Sequence, residues 1–253
     1  MNRERAQRRL NPWLGWALAL LVIAGFCALG HWQLDRARQK QAMLAGVHRV
    51  LAQRIPQPLS RVADPARSRD YDWAAGQGRF IDAPAVLLDN QSRDDRSGVR
   101  AYRLFEPAPF PSSPLLVELG WLPLPGDRTM PTVPRPEGEA QIVRGLLAPP
   151  PARGLLASTA TRQADGSVLA TGLDARELPA LLGLKALPAR ILKMDPALPL
   201  GYPRDLDVLP NTLPPERHLG YAVQWFGLAL AVFITAVVLT VRRQRRAREK
   251  IAA

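Results

Sequence analysis

Cysteine and histidine are scarce in this chain of 253 residues. Its one cysteine, Cys27, lies in an apolar run, which excludes an intramolecular disulfide and a thiolate metal site and leaves Cys27 as a small membrane-embedded residue. Three histidines, His31, His48 and His218, offer little material for a multi-histidine metal centre or for general-base chemistry. There is no Gly-x-Ser-x-Gly elbow, no phosphate-binding loop and no His-Glu-x-x-His zinc helix. The adjacent carboxylates Asp94 and Asp95 fall in a charged loop and read as solvated. A membrane-bound hydrolase is therefore disfavoured. The inventory points to a protein that binds, positions or scaffolds, and not to an enzyme.

Acidic residues are too few to balance the basic ones, and the net charge is +12. The distribution decides what that means. Residues 1–11 hold four arginines against one glutamate, and residues 242–253 hold six basic residues against one acidic. The stretch between them keeps 24 basic and 20 acidic residues, close to balance. An excess confined to two tails beside apolar segments is a topology signal of membrane proteins, not a nucleic-acid footprint.

Charge is absent altogether from two long runs. Between Leu10 and Leu34, and again over the 24 residues from His218 to Val241, there is no Asp, Glu, Lys or Arg. At about 1.5 Å per residue such a helix crosses a hydrocarbon core of roughly 30 Å, and in lipid a lone segment satisfies its backbone only as a helix. The first run exceeds a usual signal-sequence core and carries Trp13, Trp16 and Trp32 at its two interfaces, so it reads as a retained span. The layout expected is a basic tail 1–11, a span 12–32, an extracytoplasmic domain 33–217, a span 218–241 that the basic tail terminates, and the tail 242–253. Both tails place the termini in the cytoplasm, with Arg36, Arg38 and Lys40 as a weaker contrary signal. Few residues precede the first span and none is serine, which favours a bacterial inner-membrane protein over one with a transit peptide. Gly15, Ala19 and Ala28 in one span, and Gly220, Gly227 and Ala231 in the other, offer small surfaces for helix packing.

Between the spans, the sequence predicts that the first helix runs on to about Gln53 and that residues 54–69 form a surface connection. Short apolar runs then predict strands at Asp72–Ile81, Ala85–Asn90, Val99–Phe105, Leu115–Leu122, Ala140–Leu147, Val168–Thr171 and Arg190–Asp195. A short helix is expected at Glu177–Leu184 with Asp174 as N-cap. Prolines such as Pro107, Pro109 and Pro111 suit short, edge-limited strands over a long central sheet. The fold class is a membrane protein with two transmembrane α-helices flanking a small β-rich α+β domain.

Polar residues near the outer ends of the spans are the candidate site. His218, Tyr221 and Trp225 stand three and seven apart and share a helical face, while Gln33, Arg36 and Lys40 recur at helical spacing. By spacing alone, these are equally a wet interfacial histidine and a solvated charged face. Their words are more specific. His218-Leu-Gly-Tyr-Ala-Val-Gln-Trp-Phe226 resembles the C-terminal signature of the Surfeit locus protein 1 family, and Gly30, Trp32, Gln33, Arg36 and Lys40 match its Gly-x-Trp-Gln-x-x-Arg-x-x-x-Lys motif. Asp89-Asn-Gln-Ser-Arg93 with Gly98 and Tyr102, and Leu116–Trp121, resemble its central segments more loosely. Glu118-Leu119-Gly120-Trp121 stands where the family usually has Asn-Arg-Gly-Trp, and Arg100-Ala101 where Pro-Gly is common.

The resemblance implies an assembly factor for cytochrome c oxidase (complex IV biogenesis) that assists haem a insertion or formation of the haem–copper centre. Haem a as transient cargo, oxidase subunit I and haem a synthase as partners, and the lipid bilayer as surroundings follow from it. It also implies a ligand-binding set of His218, Tyr221, Trp225, Trp32, Gln33, Arg36 and Lys40, with His218 as axial ligand of the iron and cations near the propionates. The competing reading is a two-span anchor for an envelope-binding or sensory periplasmic domain.

Overall fold

The computed structural model describes residues 12–151, 158–209 and 212–252, so the expected tail at residues 1–11 lies outside them. The chain divides into two compact units, one of residues 1–43 and 213–253 and the other of residues 44–212.

The first unit pairs α1 (Pro12–Gln53), up to residue 43, with α3 (Pro215–Ala252). Both are long and apolar enough to cross a membrane. Their apolar side chains are left uncovered by protein: Leu21 is 70% exposed and Val223 72%. A core helix of a water-soluble domain would hide such residues, whereas lipid is as apolar as they are. The basic segment does not end α3, which continues helically through Arg242–Arg248. That departs from expectation, and its reason is local: Arg, Gln, Ala, Glu and Lys are good helix formers, and nothing in 242–250 is Gly or Pro.

The second unit is built on an eight-stranded sheet: β1 (Asp72–Phe80), β2 (Val86–Arg93), β3 (Arg96–Pro107), β4 (Leu115–Pro123), β5 (Gln141–Ala148), β6 (Ala160–Arg162), β7 (Val168–Ala170) and β8 (Ile191–Met194). The order is β1-β5-β8-β4-β3-β2-β7-β6. A further antiparallel pairing of β1 with β3, from Gly78↔Pro107 to Phe80↔Phe105, closes β1-β5-β8-β4-β3 into a five-stranded ring. The sheet is thus continuous and closed on one side, not a set of short edge strands. Pro109, Pro111, Pro114 and Pro125 fall in the β3–β4 and β4–β5 connections, and Pro107 and Pro123 are the last residues of β3 and β4, so the strand interiors keep their ladders. The hairpin between β2 and β3 turns on Asp94 and Asp95, both at positive φ with Arg93↔Arg96 paired around them. The acidic pair is a two-residue turn, a place where Asp tolerates left-handed backbone.

Side chains alternate between two cores, as strand period demands. Leu115, Val117 and Leu119 join Phe105, Leu192 and Met194, while Leu116 joins Ile191 and the short helix α2 (Leu178–Leu182). That helix begins later than expected, because Asp174 accepts from Arg176 N–H in the turn before it and Glu177 takes the cap position. Residues 54–69 are more than a surface connection: two 3-10 turns place Leu59 and Val62 in the first core. The three-residue β6 had no expectation; its sequence Ala-Thr-Arg is too short to show periodicity.

The two central family-like segments meet in this sheet. Gln91 pairs with Gly98 and Arg100 with Trp121. Trp121 Nε1 donates to Gln91 O at 3.4 Å, and its backbone N–H donates to Pro203 O at 2.8 Å. Gly120 has φ +131°, and a Cβ there would lie 2.5 Å from Tyr202 O, so only glycine fits.

Candidate functional site

The helix pair has one buried stripe on each partner. On α1 the protected positions are Trp16, Ala19, Ile23, Phe26, Gly30, Gln33, Ala37 and Lys40; on α3 they are Pro215, His218, Ala222, Trp225, Ala229, Val232, Ala236 and Thr240. Steps of three and four residues form a seam such as close helix pairs use. Contacts along it run in opposite directions on the two helices. Trp16 Nε1 donates to Thr240 Oγ1 at 3.0 Å, Phe26 and Trp225 lie 5.6 Å apart ring to ring, and the Lys40 ammonium donates to Leu213 O. Packing of the two helices was expected, and of the small residues named for it Ala19 lies on the seam. The others do not: a Cβ built at Gly15, Gly220 or Gly227 would meet nothing within 4 Å, and Ala28 and Ala231 are exposed. Gly30 is the small residue that matters: a Cβ there would stand 2.8 Å from the Phe226 ring.

At the Gln33–His218 end of the seam, polar residues replace apolar ones. His218 is 7% exposed, and its Nδ1 lies 2.7 Å from Gln33 Oε1. Its Nε2 is buried and has no hydrogen-bond partner among the described residues. A buried imidazole nitrogen usually has one, so this atom is an exception within the helix pair. Leaving such an atom bare costs about 1–3 kcal/mol. Arg36 and Lys40 follow Gln33 on α1 by one and two turns. Arg36 donates to Gln39 Oε1 at 3.4 Å, and Lys40, with three donors, retains two beyond its bond to Leu213 O.

The expected set is therefore brought together in part. His218, Gln33 and Lys40 lie on the seam, with Trp225 half-buried two turns below. Tyr221 and Trp32 stay outside it, 39% and 57% exposed. Tyr221 misses because the seam on α3 advances from 218 to 222 and 225. His31 faces Asp35 at 3.4 Å on the exposed side and takes no part. No group of three or more His, Cys, Asp or Glu side chains that could hold a metal ion occurs among the described residues. One imidazole nitrogen with nearby cations suits an iron already held by a macrocycle that brings its own carboxylates. The donor set fits haem.

The β domain holds the charged clusters that sequence reading missed. Glu118, 1% exposed, accepts from Arg100 at 2.5 Å and from Lys193 at 2.9 Å, with Tyr102 Oη at 3.4 Å. Burial pushes the Tyr102 phenol well above its ordinary pKa, and the Glu118 charge adds to this. Arg190, wholly buried, donates to Asp72 at 2.7 Å, and Arg67 pairs with the same carboxylate at 2.8 Å. The charges are paired within each cluster, with Arg100 Nε and Arg190 Nε left buried without a hydrogen-bond partner among the described residues, and such mutual pairing marks structural cross-braces. A pairwise signal for them existed only in register: Arg100, Tyr102, Glu118 and Lys193 become neighbours once β3, β4 and β8 are aligned.

No curated protein matches the chain. The model of the SURF1 family matches residues 20–230, a range that begins in α1, takes in the whole β domain and ends in α3 beyond His218, Tyr221 and Trp225. With a match over most of its length, and with the Gly30–Lys40 and His218–Phe226 motifs facing each other across one helix seam, the chain belongs to the SURF1 family, a family of cytochrome oxidase assembly factors.

Proposed function

We propose that this protein receives haem a at the outer end of its helix pair and passes it toward subunit I of cytochrome c oxidase, with haem a synthase as the donor partner. The observation that carries the reading is the buried Nε2 of His218, without a hydrogen-bond partner among the described residues, at one end of the seam between two helices apolar enough to cross a membrane. His218 would bind the iron, and Arg36 and Lys40 would bind the propionates by charge-assisted hydrogen bonds. The membrane position suits an apolar cargo. Leu219 and Tyr221 beside His218 are more than a third exposed and supply apolar surface. Bound there, the macrocycle brings its redox chemistry with it. The protein's own task is to hold, orient and release.

The test is the absorption spectrum of protein purified from cells that make haem a. His218→Ala is expected to lose the bound-haem spectrum or change its ligation while still inserting in the membrane. Arg36→Ala should weaken binding more mildly, by one contact of about 1.5–3 kcal/mol before solvent screening. An unaltered spectrum in a stable His218→Ala protein would end the ligand assignment.

The site also requires a side of the membrane. The reading places residues 33–217 in the periplasm of a bacterial cell, with both termini cytoplasmic, on the basic excess of the two tails. Alkaline phosphatase fused after residue 120 should be active, and fused at the C-terminus it should not. Activity of the C-terminal fusion alone would reverse the topology.

A further inference from the structure

The bond between Gln33 and His218 does more than join two helices. Gln33 Oε1 carries lone pairs and no hydrogen, so at 2.7 Å it accepts from Nδ1. The ring proton of the neutral imidazole is therefore on Nδ1, and Nε2 bears the free lone pair. That is the reverse of the tautomer that free histidine prefers in water. Gly30 and Ala37, both buried, bracket Gln33 on the same stripe, and at Gly30 the Phe226 ring leaves no room for a Cβ. We propose that Gln33 is a positioning residue that locks His218 in the Nδ1–H tautomer and so presents Nε2 as a bare donor atom.

The chemistry of the partner matters as much as its position. A carboxylate at 33 would draw the Nδ1 proton and make the imidazole a stronger, more basic ligand. The neutral amide gives direction without that added basicity. Resting on the haem reading for its purpose, this makes His218 an oriented but weak ligand, suited to a cargo that has to leave.

The experiment begins without haem. Full-length protein labelled with nitrogen-15 histidine, in lipid nanodiscs, reports the protonation of each ring nitrogen by its chemical shift. Wild type is expected to show a protonated Nδ1 and an unprotonated Nε2 at His218. Gln33→Leu should convert most of the population to the Nε2–H form, and Gln33→Glu should keep Nδ1–H. An Nε2–H wild type, or a Gln33→Leu protein with the wild-type pattern, overturns the proposal. With haem a added, Gln33→Leu should bind about ten- to a hundredfold more weakly, as loss of such a partner does elsewhere. Gln33→Glu should release haem more slowly and lower its midpoint potential, a signature that a purely structural bond would not give. If the tautomers behave as expected and His218→Ala still binds haem normally, the haem reading fails, and the purpose given to Gln33 fails with it.

Discussion

The helix pair and the β domain treat polar and apolar groups in opposite ways. In the helix pair, Leu21 and Val223 face outward at 70% exposure or more, and Trp16, Gln33 and Lys40 on the seam are met from the opposing helix or the chain beside it. In the β domain, Leu104, Phe105, Leu146 and Leu192 are fully enclosed, and whole ion clusters are buried with them. The difference follows from what each is dissolved in. Lipid gives no reason to hide a leucine and every reason to satisfy a hydrogen bond; water does the reverse. The lesson lies in the atom that breaks the rule. Within the helix pair, His218 Nε2 is the buried side-chain polar atom without a partner among the described residues, in the surroundings where that is least tolerable.

The sharpest break is at Glu118. Removing it in Glu118→Ala leaves Lys193 a buried, uncompensated cation and Arg100 with only Asp205 at 3.6 Å, and the domain 44–212 is expected to lose about 3–5 kcal/mol in denaturant unfolding. A loss under 1 kcal/mol would mean that water reaches the cluster. In the helix pair the comparable break is apolar. Gly30→Leu forces a side chain into the Phe226 ring and should cost about 1–3 kcal/mol by overpacking. In a Cys27→Ser background, a short bifunctional reagent should then lose its cross-link between cysteines placed at 16 and 240.

Acid separates the two regions more gently. For Asp72 and Asp195, burial alone would raise the pKa, but the Arg190 and Arg67 bonds to the first, and the Ala197 N–H and Arg144 bonds to the second, outweigh it and hold both below the ordinary carboxylate value. Their contribution is therefore full above the unfolded pKa of about 3.9 and is lost as pH falls through the folded values. The excised domain should keep its denaturation midpoint from pH 7 to 5 and lose it below about pH 4. Asp195→Asn should lose less over the same descent. A midpoint indifferent to acid would show the two ion clusters to be idle.

How far these regions were legible differs in the same physical terms. The spans were plain because lipid demands uninterrupted apolar runs, and the strand positions because Val, Leu and Ile alternate with polar residues and end at Gly or Pro. Residues 33, 36, 40 and 218 could be chosen from spacing and resemblance. The partnership of Gln33 with His218 could not, since 185 residues separate them. Tyr221 was placed on the site by a spacing of three, where the seam takes a step of four. Nor could ring closure be foreseen, because the Gly78–Phe80 pairing with β3 has no sequence mark of its own.

That closure has a consequence in time. The last strand of the ring, Ile191–Met194, sits between Leu115–Pro123 and Gln141–Ala148, two strands made long before it. While the chain is being synthesised, those two strands have a gap between them that no earlier segment fills in the finished sheet. The Glu118 cluster also waits, because Lys193 arrives with the closing strand. Only about twenty residues then remain before Pro215 begins the second long helix. The domain therefore completes itself at nearly the moment its second anchor is threaded into the bilayer, and the histidine at position 218 is among the first residues made after the fold can close.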